Sequence, residues 1–151
     1  PGLGGQGVLK TSDILADAAL ACGLDAKKSE VHGMSQRGGS VSSEVRFGTC
    51  VLSPMVPDGS ADFVVVLADD QVELSRRHLR PGGVLITPDA ISAETLPNRR
   101  SLNVALLGVL STHLDLGEEA WREAIRANLA EKLHEMNIEA FAAGRRAAAT
   151  T

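Results

Sequence analysis

The sequence predicts an α/β protein with a three-layer α/β/α architecture, and three observations carry that expectation. A glycine turn, Gly2-Leu3-Gly4-Gly5-Gln6-Gly7, runs straight into apolar positions at helical spacing. An unbroken, β-branched run from Ala61 to Ala68 has the composition of a strand buried on both faces. That run leads through a helical stretch and a Pro-Gly turn to a second strand, and such a βαβ unit implies a mainly parallel sheet with helices on its faces. At 151 residues, 44% hydrophobic and 23% charged, the chain has the size and composition to fold as a single domain over residues 1–151.

The elements follow in order. A glycine turn of this kind ordinarily succeeds a strand, so a first strand is expected ahead of Pro1, outside the sequence as it stands. After the turn, Val8, Leu15, Ala19 and Cys22 are spaced to share one face of a helix that stops at Gly23. Ser29 to Ser40 is polar and glycine-rich without apolar periodicity, and reads as a loop. Val41, Val45 and Phe47 then alternate with Ser42, Glu44 and Arg46, the period of a strand with one wet face. Gly48-Thr49 reads as a turn and Cys50-Val51-Leu52 as the returning strand of a β-hairpin, ended by Pro54 and Pro57.

Past the Ala61–Ala68 strand, Asp69 and Asp70 suit a helix start and Arg76, Arg77 and His78 its last turn, where the macrodipole favours cations. Pro81-Gly82-Gly83 turns into the strand Val84-Leu85-Ile86, and Thr87 to Arg100 shows no pattern. The remainder is a helical C-terminal part: Leu102 to Leu114, Glu118 to Leu129, and a last stretch through Met136, Ile138 and Phe141, with Ala147 to Thr151 expected to fray. The whole reads as Rossmann-like.

Composition excludes several kinds of chemistry. A net charge of −4, 3% aromatic residues and no tyrosine oppose nucleic-acid binding. Cys22 and Cys50 lie far apart and His32, His78, His113 and His134 share no ligand spacing, so neither an iron–sulfur nor a zinc site is encoded. No apolar run reaches the roughly 18 residues of a membrane span, and a cytoplasmic chain is expected. No G-x-S-x-G elbow marks a nucleophile, and no catalytic residue is assigned.

Two features remain. The glycine turn matches G-x-G-x-x-G and places free helix N–H groups where an anion can bind; alone it equally describes a tight turn packed on a sheet. A dinucleotide fold wants an acid about 20 positions on, and Asp25 and Glu30 both answer. In the second glycine-rich segment, His32, Gln36 and Arg37 sit among glycines that allow close approach, and Arg37 suits a phosphate or carboxylate. A dinucleotide-binding module and a plain interaction domain both stay open on these residues.

Taken together, Gly2-Leu3-Gly4-Gly5-Gln6-Gly7-Val8 and Ser29-Glu30-Val31-His32-Gly33-Met34-Ser35-Gln36-Arg37-Gly38-Gly39-Ser40-Val41 resemble the small, gamma-type subunits of the 2-oxoacid:ferredoxin oxidoreductases. The resemblance continues through Ser53-Pro54, Ala61-Asp62, Leu79-Arg80-Pro81-Gly82-Gly83 and Asn103-Val104-Ala105-Leu106-Leu107-Gly108, and the form of the second segment favours the indolepyruvate branch over pyruvate, 2-oxoglutarate or branched-chain enzymes. It implies one part of an enzyme that oxidatively decarboxylates an arylpyruvate with coenzyme A and passes electrons to ferredoxin. Thiamine diphosphate and the 4Fe–4S clusters would belong to a large partner subunit, with no cofactor held by this chain alone. Gly4, Gly5, Gln6 and Gly7, with His32, Gly33, Gln36, Arg37, Gly38 and Gly39, would face that subunit and the coenzyme A channel. Many members carry a longer segment than Thr87 to Leu102 supplies; either residues there lie outside the sequence as it stands, or a real shortening removes a sheet element and leaves the isolated chain less stable.

Overall fold

A computed structural model describes residues 1–33 and 38–150. In chain order its elements are β1 (Gly2–Leu3), α1 (Val8–Ala21), β2 (Asp25–His32), β3 (Ser40–Gly48), β4 (Ala61–Val65), α2 (Val72–Ser75), β5 (Leu79–Ile86), α3 (Leu102–Ser111), α4 (Glu118–Asn128) and α5 (His134–Thr150). The result is the expected mixed α/β fold, with a parallel strand pair, a hairpin and C-terminal helices. The parallel part is β4 beside β5, while β1, β3 and β2 form an antiparallel ladder in that order. The two ladders touch where Leu67 N–H donates to Pro1 O at 2.9 Å.

The core is helical. Every residue of α3 from Val104 to Ser111 is buried, because one side meets the strands and the other meets α5. The two helices cross at glycines: a Cβ on Gly108 would collide with the Phe141 carbonyl, and one on Gly144 with the Ala105 carbonyl. Backbone therefore lies against backbone at this crossing. In α4, Trp121, Ala124 and Ile125 supply the i, i+3, i+4 stripe, and the Trp121 and Phe141 rings sit 5.7 Å apart with both side chains fully buried. Full burial of each such side chain is worth roughly 1.5–3 kcal/mol.

Four local expectations differ from the structure. Ser29 to His32 is strand, not loop: Asp25–His32 pairs residue for residue with β3, from Asp25 opposite Gly48 to His32 opposite Val41. None of its side chains is buried, so it shows no apolar period; backbone pairing holds it, helped by Lys28, which bonds Asp13 of α1 and Glu30 (2.7 Å). Cys50-Val51-Leu52 is accordingly not a returning strand. The partner position is taken by β2, and the Val51 N–H donates instead to the Asp25 carboxylate at 2.8 Å. Cys22 lies past the end of α1 and is exposed, while Ile14 and Ala18 join Val8 and Ala19 in the core. At the other end α5 stays helical to Thr150, with Ala147 and Ala148 packed on the core, so the tail does not fray from Ala147.

Two smaller differences concern the parallel pair. Pro81-Gly82-Gly83 falls within β5 rather than before it, at an irregularity where Ala61 pairs with Leu79 but Phe63 with Val84. The segment after β5 contains three short 3-10 turns, Pro88–Ala90, Ala93–Thr95 and Arg99–Ser101.

Candidate functional site

The β1–β3 rungs bring the two glycine segments together. Gly2 lies opposite Val41 and Leu3 opposite Ser40, and one step further Gly4 N–H donates to Gly39 O at 2.9 Å. Across the hairpin, Gly33 N–H donates to Ser40 O at 2.7 Å. The first turn and the hairpin's end thus enclose a cleft of about 140 Å³ lined by Gly4, His32, Gly33, Gly38, Gly39, Ser40 and Val41. Gln36 and Arg37 lie outside the described residues. Gly5 stands at the turn's exposed apex, with no atom of the described residues within 4 Å of where a Cβ would lie.

Gln6 closes the first turn from within. Its side-chain oxygen accepts from Leu3 N–H at 2.7 Å, and its own N–H donates to Leu3 O at 3.1 Å. Gly7 then starts α1 at φ 83°, a left-handed conformation that favours glycine. A Cβ there would also lie 2.5 Å from Asn103 Nδ2, in the first turn of α3. The α1 start has no side-chain cap and no acid in its first turn, so its leading N–H groups and positive dipole end are not neutralised locally.

Electrostatics around the cleft are set by pairs. Burial disfavours the Lys28 ammonium, but the hydrogen bonds it donates to Asp13 and Glu30 outweigh that and hold its pKa above the ordinary lysine value. His32 is exposed, its Nε2 3.9 Å from Glu30. Ser40 Oγ donates to Gln71 Oε1 at 3.2 Å, tying the hairpin to the turn that follows β4.

Neither acid suggested for a dinucleotide occupies that role. Asp25 sits at the far end of the hairpin, where the Val51 N–H and then Lys27 hold its carboxyl below the usual range; Glu30 is engaged by Lys28. Gln71 had no motif or period to mark it as a neighbour of the cleft, and Ser40 and Asn103, though within the segments that carry the resemblance, had no role assigned there. No histidine hydrogen-bonds a serine or cysteine, and no His, Cys, Asp and Glu cluster suited to a metal occurs, among the described residues. The described residues also contain no helix long and apolar enough to cross a membrane. What lines the cleft is glycine backbone, an imidazole and a hydroxyl.

Known proteins resemble this chain in sequence and in fold. The chain is 35% identical to indolepyruvate oxidoreductase subunit IorB of Thermococcus kodakarensis, across 97% of this chain and 93% of the relative. That alignment runs over 189 positions, more than the 151 residues here, so the relative carries segments this chain lacks. In structure it resembles the gamma subunit of a keto/oxoacid ferredoxin oxidoreductase from Geobacter sulfurreducens (TM-score 0.72, 22% identity, 99% of this chain and 96% of that one). It also resembles 30% of the longer chain of 2-oxoglutarate:ferredoxin oxidoreductase from Magnetococcus marinus, solved with 2-oxoglutarate, coenzyme A and succinyl-CoA (TM-score 0.76, 20% identity, 99% of this chain). The family model for pyruvate ferredoxin/flavodoxin oxidoreductase matches residues 1–92 and 88–147, two stretches that meet just after β5, where the short segment was noted. With nearly the whole chain matched by that model and a relative 35% identical over almost its full length, this protein belongs to the pyruvate ferredoxin/flavodoxin oxidoreductase family.

Proposed function

We propose that the chain serves an indolepyruvate:ferredoxin oxidoreductase, or one acting on a closely related arylpyruvate, and that its cleft forms one wall of the coenzyme A channel. The reaction breaks the bond between the carboxylate and the 2-oxo carbon, releases CO₂, joins the remaining acyl group to the coenzyme A sulfur and sends two electrons to ferredoxin. The observation that carries this reading is the Gly4 to Gly39 hydrogen bond, which makes one cleft of two separate glycine segments. The indolepyruvate branch rests on the relative at 35% identity.

Size decides how much this chain does. A cleft of about 140 Å³ is well below the roughly 300–1,000 Å³ that encloses a whole ligand, so a large partner subunit supplies the rest of the channel. The same subunit holds the thiamine diphosphate and the 4Fe–4S clusters, since two exposed cysteines do not fit a cluster needing four thiolates. Here Gly4, Gly5, Gly7, Gly33, Gly38 and Gly39 let backbone approach the ligand, Gln6 holds the turn, and His32, Gln36 and Arg37 contact its polar groups. A dinucleotide module is disfavoured, because Asp25 and Glu30 are committed elsewhere.

Reconstitution tests the proposal. The chain alone should not support dye reduction by indolepyruvate with coenzyme A, and adding the large subunit should restore it; failure of the two to co-purify would refute the assignment. In the complex, Arg37→Ala should raise the KM for coenzyme A about tenfold, the scale of one lost charge-assisted contact, with little change in kcat. A thermal shift with NAD or FAD and none with coenzyme A would favour the dinucleotide module instead.

A further inference from the structure

We propose that the face of the β2–β3 ladder turned away from α1 is a docking surface for the large subunit, anchored by Leu52 and Met55 on a strap that crosses it. The inference rests on the reading above that a large subunit closes the glycine cleft, and it adds an apolar contact outside that cleft.

The register sorts the two faces. Lys28, which bonds Asp13 of α1, lies opposite Val45, and with Ala26 opposite Phe47 and His32 opposite Val41 these residues form the face under α1. Alternation puts Lys27 opposite Arg46, Ser29 opposite Glu44 and Val31 opposite Ser42 on the other face. The irregular segment from Val51 to Pro57 runs across that face and is clamped to it. Asp25 accepts the Val51 N–H at 2.8 Å and Glu44 the Val56 N–H at 2.8 Å, while Arg46 Nη1 donates to Ser53 O at 3.2 Å and Met55 O at 3.3 Å. Pro54 and Pro57 stiffen the strap further.

Held this firmly, the strap buries Val51 but leaves Leu52 92% and Met55 67% exposed. Val31 is exposed on the same face. So is Leu74 on α2, whose flanking turns are tied to this side by Ser40 to Gln71 and by Asp58 to His78. Four of the five large apolar side chains left exposed among the described residues thus lie on one side; the fifth, Leu20, is on α1. The charged groups of the face already have partners within the chain: Asp25 also takes Lys27, Glu44 also takes Ser29, and Arg46 has its two carbonyls. A partner seated here strands no ion, and what it must present to Leu52 and Met55 is apolar. Because the strap is fixed before binding, docking it removes little conformational freedom.

Two observations select the large subunit over a second copy of this chain. A handful of apolar side chains falls well short of the roughly 800 Å² per partner that a stable pair buries, so the patch is too small to pair with itself. It is also continuous with the cleft, since Val31 is followed by His32 and Gly33, which line it. One partner covering the cleft therefore reaches the strap and gains the area that the strap alone lacks.

The test titrates the chain into the large subunit by calorimetry, comparing the unaltered chain with Leu52→Ser, Met55→Ser and, as a control on the α1 side, Leu20→Ser. Each anchor change should raise Kd about 30-fold, the scale of a central interface side chain, and the control should leave it unchanged. In the complex of the unaltered chain, amide exchange at Leu52, Met55 and Val56 should slow at least tenfold, a readout independent of how any variant folds. Equal Kd for the anchor and control variants, or exchange that does not slow, overturns the proposal and leaves the cleft reading intact. Absence of binding by the unaltered chain overturns both. Self-association of the unaltered chain that Leu52→Ser abolishes also overturns it, because the surface would then belong to a second copy.

Discussion

From Val104 to Ser111 α3 has no residue in contact with water beyond traces, whereas none of the eight residues of β2 is buried. These two elements stand for two ways of holding a chain together. Around α3, close packing against α5, with α1 and the parallel strands on the other side, does the holding, with only a few polar contacts such as Arg145 to Ser111. Around β2 and β3, the backbone ladder, the Lys28 pairs and the Asp25 to Val51 bond do it. The glycine cleft belongs to the second kind. Elements with few buried contacts open at lower free energy, so the cleft lies where local adjustment is least costly, beside a closely packed helical layer.

The contrast is broken most severely in the helical layer. Phe141→Ala should destabilise the chain by about 3–5 kcal/mol in denaturant unfolding, because packing is the main thing holding α5; a loss near 1 kcal/mol would mean the crossing is not the main support.

On the site side, Gly7→Ala should cost about 1–2 kcal/mol for the left-handed conformation and displace Asn103. Combining it with Asn103→Ala should recover part of the loss, and a strictly additive double-mutant cycle would show that the two do not touch. Least costly should be Glu118→Gln. The Arg122 hydrogen bond holds the Glu118 carboxyl below its usual range at an exposed position, so the change should be about 0.5 kcal/mol and vanish in acid.

The same contrast decides what could be read from residues alone. The strand in Ala61–Ala68 and the helices α1, α3, α4 and α5 were legible, because buried faces impose a period. So was β3, whose Val41, Val45 and Phe47 alternate. β2 was not, because Asp25-Ala26-Lys27-Lys28-Ser29-Glu30-Val31-His32 is held by pairing that leaves no trace in hydropathy. Once β2 was missed, Val51 looked like the nearest strand partner. The two glycine segments were legible separately, but their junction depends on the β1–β3 register. Gln71 and Asn103 reach the cleft from elements more than 30 residues away, for which local spacing carries no signal.

The Gly108–Gly144 crossing has a consequence for how this chain can be engineered. With each glycine seated against the other helix's backbone, α5 cannot slide or rotate on α3 by even one residue without a collision. Extra residues placed between Ser111 and His134 must then be taken up entirely by the turns around α4. Those turns, not the ends of α3 or α5, are where a reporter or an affinity handle can be inserted while the opposite face of the molecule keeps its shape.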